Sequence, residues 1–277
     1  MAPPIHSRTR TRLPEWRRLH GAFAAALSAT ALAVMPAPPA HAMPPWGQPD
    51  ADSYAGARAR LAEEVADDVR ATSQYLGTDR LDPAVMRAIG KVPRERFVPA
   101  PLRTRAYGNH PLPIGGGQTI SQPYIVAVMS HLLDIGSGDR VYELGTGSGY
   151  QAAVLGEMGA EVYSVEIVPE LARRAAATLG ELGYDKVHVR AGDGYLGWPE
   201  AAPFDAVIVT AAGPRIPQPL IDQLRPGGRL VMPVGGTFDN QELVVLVKQP
   251  DGTLSQRRVL PVRFVPITGD GAGAGAD

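Results

Sequence analysis

The chain has 277 residues, 44% of them hydrophobic, and its 27 basic and 28 acidic side chains leave a formal net charge of −1. That length and apolar content suffice for one sizeable core, and the absence of cysteine removes disulfides, thiolate nucleophiles and cysteine-based metal sites together. Five arginines (Arg8, Arg10, Arg12, Arg17, Arg18) and Glu15 precede Gly21, so the remainder carries 22 basic against 27 acidic side chains, which is not the electrostatic footprint of a nucleic-acid binder. The six histidines never fall at helical i, i+3 or i, i+4 spacing, and neither a metal site nor a nucleic-acid partner is expected.

Residues 1 to 20 are rich in arginine, Gly21 to Val34 form an apolar run, and Ala40-His41-Ala42 supply a small-residue cleavage triplet. This is the order of a secretory signal peptide cut after Ala42, and the Arg17-Arg18 pair admits a twin-arginine route. The apolar run is about 14 residues, too short to cross a bilayer, so no stable membrane insertion is expected. Export to a periplasm or the cell exterior is one reading. A disordered leader, or a true start at Met43 with a cytoplasmic product, is the other.

Leu61, Val65 and Val69 mark one face of an amphipathic helix over Ser53 to Arg70. A second helix opens on the cap and first-turn pair Asp82-Pro83 and ends at Gly90. After Gly138 the pattern becomes short apolar runs alternating with helical stretches, the form of a doubly wound, mostly parallel α/β sheet. The predicted strands are Val141 to Leu144, Val162 to Val165, Val187 to Val189, Ala206 to Val209 and Leu230 to Met232, with helices over Ser148 to Met158, Pro169 to Leu182 and Ile216 to Leu224. Leu243 to Lys248 and Arg257 to Val265 follow without a helix between them, which predicts an antiparallel edge. The division predicted is a leader (1–42), a helical and substrate-loop region (43–138), a sheet domain (139–268) and a Gly/Ala tail (269–277), the tail too poor in apolar surface to order itself. A monomer is expected.

The first sheet strand runs into Glu143-Leu-Gly-Thr-Gly-Ser-Gly-Tyr150. Alternate glycines at 145, 147 and 149 let the backbone turn tightly and approach a ligand at a helix N-terminus. A dinucleotide fingerprint starting at Gly145 would require glycine at 150, where Tyr150 stands. The next strand ends at Glu166, where nucleotide-binding folds place an acid on ribose hydroxyls, and the third leads to Gly192-Asp193-Gly194. Alone, Glu166 reads as a solvated strand-end acid and Asp193 as a turn former. Together with the glycine loop they predict a cofactor site, and the arrangement resembles the class I S-adenosylmethionine methyltransferases, with their Rossmann-like fold.

Before the sheet, three glycines and Gln118-Thr119-Ile120-Ser121-Gln122-Pro123 lead into a helical run over Tyr124 to Leu133. Ser121 or Gln122 could cap that helix, and the Thr119 and Ser121 hydroxyls with free N–H groups suit a carboxylate. By spacing alone, a plain N-cap is the commoner role for Ser121. Here the chain resembles the protein-L-isoaspartate O-methyltransferase family. The matching stretches are Val92 to Pro99, Leu112-Pro-Ile-Gly115, Gln118 to Pro123, Glu143 to Gln151, Gly192-Asp-Gly194, Pro203-Phe-Asp-Ala206, Gln223 to Gly228, Pro233-Val-Gly235 and Val265-Pro-Ile-Thr268. The resemblance implies methyl transfer from S-adenosylmethionine to the free α-carboxylate of L-isoaspartyl residues in damaged proteins and peptides, after which the ester cyclises to a succinimide unaided. It implies that Ser121 lies between donor and carboxylate with Thr119 and Ile120 nearby. Cofactor contacts are implied at Gly145, Thr146, Gly147, Gly149, Glu166, Asp193 and Gly194, and a closing role at Thr268. Related carboxyl methyl transfer to another acceptor, or binding of an adenosyl ligand without turnover, are the alternatives.

Overall fold

The computed structural model describes residues 51–236 and 240–269. The leader and nearly all of the Gly/Ala tail lie outside the described residues. All described residues belong to the compact unit Trp46–Asp277, and among them no helix is long and apolar enough to cross a membrane.

Three helices come first: α1 (Ala51–Ala71), α2 (Ser73–Leu76) and α3 (Pro83–Lys91). The four-residue apolar spacing of α1 puts Leu61, Val65 and Val69 in the core at 1% exposure or less, as one stripe of a helix must. Asp82 caps α3, accepting from Ala84 N, with Pro83 in the first turn. Two 3-10 turns follow, Arg94–Phe97 and Ala100–Arg105. The segment read only as a loop then forms an antiparallel hairpin, β1 (Leu112–Gly115) with β2 (Gln118–Ile120). Its turn needs positive φ at Gly115, Gly116 and Gly117 (94°, 61° and 73°), which glycine supplies at no steric cost. Helix α4 (Pro123–Leu132) follows directly.

The sheet is built from β3 (Arg140–Leu144), β4 (Glu161–Glu166), β5 (Val187–Ala191), β6 (Phe204–Val209), β7 (Leu224–Val234), β8 (Gln241–Lys248) and β9 (Leu254–Val262). Between them stand α5 (Tyr150–Glu157), α6 (Pro169–Glu181) and α7 (Gln218–Asp222). The spatial order is β5-β4-β3-β6-β7-β8-β9. The first five are parallel neighbours, whereas β8 pairs antiparallel with both β7 and β9. The predicted antiparallel edge is thus one reversed strand, β8, with β9 beyond it running in the direction of the parallel set.

Strand periodicity divides the interior. Val141, Ala206, Ile208 and Val231 face one core together with Val65, Val85 and Leu132 of the early helices. Tyr142, Val207, Val209, Leu230 and Met232 face a second core with Leu220 and Ile221 of α7. Chain order reverses direction across the sheet at β3, which has β4 on one side and β6 on the other. A ligand crevice belongs at the carboxyl ends of those strands.

Candidate active site

A cavity opens there, lined from four stretches, Gln118 to Ser121, Leu144 to Ser148, Val165 to Ile167 and Val265 to Thr268, together with Tyr150, Asp193, Gly194, Thr210 and Ala211 among others. Thr119, Ile120, Ser121, Gly145, Thr146, Gly147, Glu166, Asp193, Gly194 and Thr268 therefore share one wall. Gly149 does not. A Cβ there would lie 3.2 Å from Leu179 Cδ1 and 3.3 Å from Ala175 Cβ, so this glycine serves the packing of α5 against α6.

The glycine loop is shaped by steric demand. Gly145 has φ 96°, and a Cβ on it would stand 2.5 Å from Thr210 Oγ1. That hydroxyl donates to the carbonyls of Gly145 (2.5 Å) and Leu144 (3.0 Å), locking the loop onto the end of β6. From the end of β4, Glu166 accepts from Gly147 N at 2.7 Å and Val168 N at 2.9 Å. A carboxylate has about four lone-pair sites, so it retains capacity for ligand hydroxyls. Asp193 accepts from Tyr195 N at 2.9 Å, and Gly194 packs so closely that a Cβ would meet Leu144 Cγ at 2.8 Å. Apolar Leu144, Val165 and Ile167 beside Glu166 and a side-chain-free backbone loop fit an adenosine group, flat and apolar on its base and hydroxylated on its sugar.

Beneath the loop is a polar chain that sequence reasoning missed. Thr146 Oγ1 lies 2.6 Å from Ser164 Oγ, which donates to Glu143 Oε2. Glu143 is fully buried, and its other oxygen has no partner. Burial first, and then the charge of Glu166, push its carboxyl up to about 8 against the opposing Ser164 bond. At neutral pH it is therefore mainly neutral.

On the substrate side, Ser121 is not the cap of α4. The N-cap residue is Gln122, whose side chain makes no capping bond. Asn109 Oδ1 accepts from Tyr124 N at 3.0 Å instead, while Asn109 Nδ2 donates to Asp68 of α1. A cap supplied from fifteen residues upstream carries no local spacing signal. Ser121 is left half-buried, its hydroxyl bonded to no other described residue. A second cavity of about 710 Å³ adjoins, lined by Pro111, Gln122, Ile125, Arg263 and Phe264 among others. Thr119, Ser121, Thr210 and Val265 belong to both walls.

The wall segment Val265 to Thr268 is held by backbone bonds: Ala212 N to Val265 O and Ile267 N to Ala212 O, both 2.8 Å. The buried Gln241 side chain clamps Phe264, accepting from its N at 2.6 Å and donating to its carbonyl at 3.2 Å. Thr210 could have been found from sequence, because it follows β6 as Gly145 follows β3. Gln241 could not, since its partner lies twenty-three residues away.

The family profile described as Protein-L-isoaspartate(D-aspartate) O-methyltransferase matches residues 72–272. The chain belongs to the protein-L-isoaspartate O-methyltransferase family. Its relatives in that family include Protein-L-isoaspartate O-methyltransferase 2 of Syntrophobacter fumaroxidans, 56% identical over 218 residues (79% of this chain and 88% of the relative). The Protein-L-isoaspartate O-methyltransferase of Gloeobacter violaceus is 63% identical over 185 residues, covering 67% of this chain and 90% of the relative. A solved structure titled protein-L-isoaspartate O-methyltransferase superposes with TM-score 0.65 at 27% identity, covering 76% of this chain and 67% of the other. A second, a putative member from Plasmodium falciparum solved with S-adenosyl-L-homocysteine, superposes with TM-score 0.63 over 76% of this chain and 98% of its own; at 22% identity it bears on the fold alone. In a family that uses S-adenosylmethionine, the glycine-loop cavity is the place in this chain whose shape and chemistry fit that cosubstrate.

Proposed function

We propose that this chain is a repair methyltransferase that esterifies the free α-carboxylate of L-isoaspartyl residues in damaged proteins and peptides. The observation that carries the reading is the shared wall: Thr119, Ser121 and Thr210 border both the glycine-loop cavity and the larger cavity beside it. An acceptor held in the second cavity meets a donor held in the first at those hydroxyls.

An ordinary carboxyl titrates near 4, so the acceptor is already ionised and needs no general base. S-adenosylmethionine supplies the methyl group, whose bond to sulfur breaks as the carboxylate oxygen bonds to carbon, and no proton moves. What the chain provides is placement. Gly145, Gly147, Glu166, Asp193 and Gly194 hold the donor side, and the Ser121 hydroxyl orients the acceptor by hydrogen bonding. Ile120 and the segment ending at Thr268 exclude water, and proximity and dehydration then supply the acceleration.

Purified protein incubated with labelled S-adenosylmethionine and a peptide pair, one L-isoaspartyl and one L-aspartyl, tests the reading. Base-labile label on the isoaspartyl peptide alone supports it, and equal labelling of both, or of neither, refutes it. For residues 1–42 we propose a cleaved export leader, on the order of arginines, apolar run and Ala40-His41-Ala42. Mass spectrometry of the native N-terminus together with cell fractionation is expected to find Met43 first on protein in the exported fraction; an intact leader, or Met43 first on protein confined to the cytoplasm, refutes the proposal.

A further inference from the structure

The stretch Val92 to Pro99 has no part in the site as described, yet it contains, among the described residues, the largest wholly buried side chain with a permanent charge. Arg94 is 0% exposed and pairs with no carboxylate among the described residues. Burial lowers its pKa to about 10, so it remains a cation at neutral pH. Its Nε–H donates to the carbonyl of Ala106 at 2.9 Å and Nη2 donates to the carbonyl of Ser121 at 2.7 Å, with His110 O more distant at 3.5 Å. The guanidinium carbon lies 4.6 Å from the centre of the Tyr150 ring. Phe97, from the same 3-10 turn, meets that ring edge-on at 5.7 Å. Nη1 and the Tyr150 hydroxyl are both buried and make no hydrogen bond of good geometry, yet the two side chains are close enough to interact, Tyr150 favouring the charged guanidinium.

A buried cation without a counter-ion is a costly way to hold a fold together, because desolvation is offset by carbonyl dipoles and tyrosine side chains rather than by an opposite charge. The two groups it joins are the ones whose separation matters for transfer. Ser121 stands in the wall common to both cavities, and Tyr150 is the first residue of α5, at the end of the glycine loop and also in the donor cavity wall. We infer that Arg94 is a positioning residue, one that fixes the Ser121 backbone against the Tyr150 end of the donor loop and so sets the approach of acceptor oxygen to methyl carbon. A rigid two-ended guanidinium can do this, whereas a lysine ammonium, a point charge on a flexible stem, cannot hold both ends in register. The inference rests on the isoaspartyl transfer proposed above.

The test compares the full chain with Arg94→Lys, measuring melting temperature, S-adenosylmethionine dissociation constant, and kcat and KM on an isoaspartyl peptide. For Arg94→Lys the expected result is a folded protein with cofactor affinity within about threefold of the parent and kcat lowered about 100-fold, far more than KM rises, the split expected when an interaction acts only at the transition state. If Arg94→Lys does not fold, Phe97→Leu replaces it, since Phe97 lines neither cavity and its loss frees the Tyr150 ring under the guanidinium: kcat must fall while the directly measured cofactor affinity holds. An active parent whose folded Arg94→Lys or Phe97→Leu variant keeps kcat within twofold overturns the inference alone. A parent inactive on the isoaspartyl peptide overturns the reading beneath it.

Discussion

Ser121 combines two properties that rarely coincide at a structural residue: its hydroxyl bonds to no other described residue, and it faces both cavities. Removing the hydroxyl should therefore leave the fold alone and weaken the held carboxylate. Ser121→Ala is expected to melt within about 2 °C of the parent and to lose roughly 10- to 100-fold in kcat/KM on an isoaspartyl peptide, the worth of one hydrogen bond to a charged group. Glu143 offers a pH test of the opposite kind. Its folded pKa, about 8, lies above its ordinary 4.5, so the folded state holds the proton more tightly. The associated stability is fully present below pH 4.5 and lost as pH rises to about 8. Denaturant titrations should show Glu143→Gln gaining on the parent by on the order of a few kcal/mol between about pH 5 and pH 8, and a constant difference would contradict that assignment. Ser121 and Glu166 were legible in the sequence because their neighbours form motifs. The buried connections of Arg94, Ser164 and Asn109 were not, because each partner lies at least twelve residues away and no local spacing encodes it.

Among the elements, the central strands β3 and β6 were readable because burial on both faces of a parallel sheet leaves unbroken apolar runs between turn signals, whereas the largely exposed last strand lies at Leu254–Val262 and not at the expected Arg257 to Val265. The β1–β2 hairpin was not. Its strands are four and three residues long, too short to establish an alternation, and the triple glycine reads equally well as a loose loop. The cavity-lining segment after β9 was visible only as Val265 to Thr268, without what fastens it. Gln241 on β8 supplies the fastening through both amide atoms to Phe264. Gln241→Leu keeps the buried volume and removes both bonds, each worth about 1 kcal/mol net. The expected outcome is an S-adenosylmethionine dissociation constant raised about tenfold by calorimetry, with the secondary structure unchanged by circular dichroism. Unchanged affinity would mean that the Ala212 backbone bonds alone hold the segment.

At the scale of the whole molecule, function depends on bringing the hairpin of the N-terminal region against the carboxyl ends of β3, β4 and β6. The change from helical to strand periodicity near Gly138 is plain in the sequence, but periodicity does not report packing across that point. The structure does: Val65, Val85 and Leu132 share a core with Val141 and Ile208 of the sheet, and this common core carries Thr119 and Ser121 to the donor cavity. The central claim is that the two adjoining cavities bring a methyl donor to an isoaspartyl carboxylate. The most direct test is transfer of labelled methyl from S-adenosylmethionine to the matched isoaspartyl and aspartyl peptides by the full chain. The account predicts base-labile ester on the isoaspartyl peptide and none above background on its aspartyl twin. Binding of S-adenosylmethionine with no ester on either peptide would contradict it.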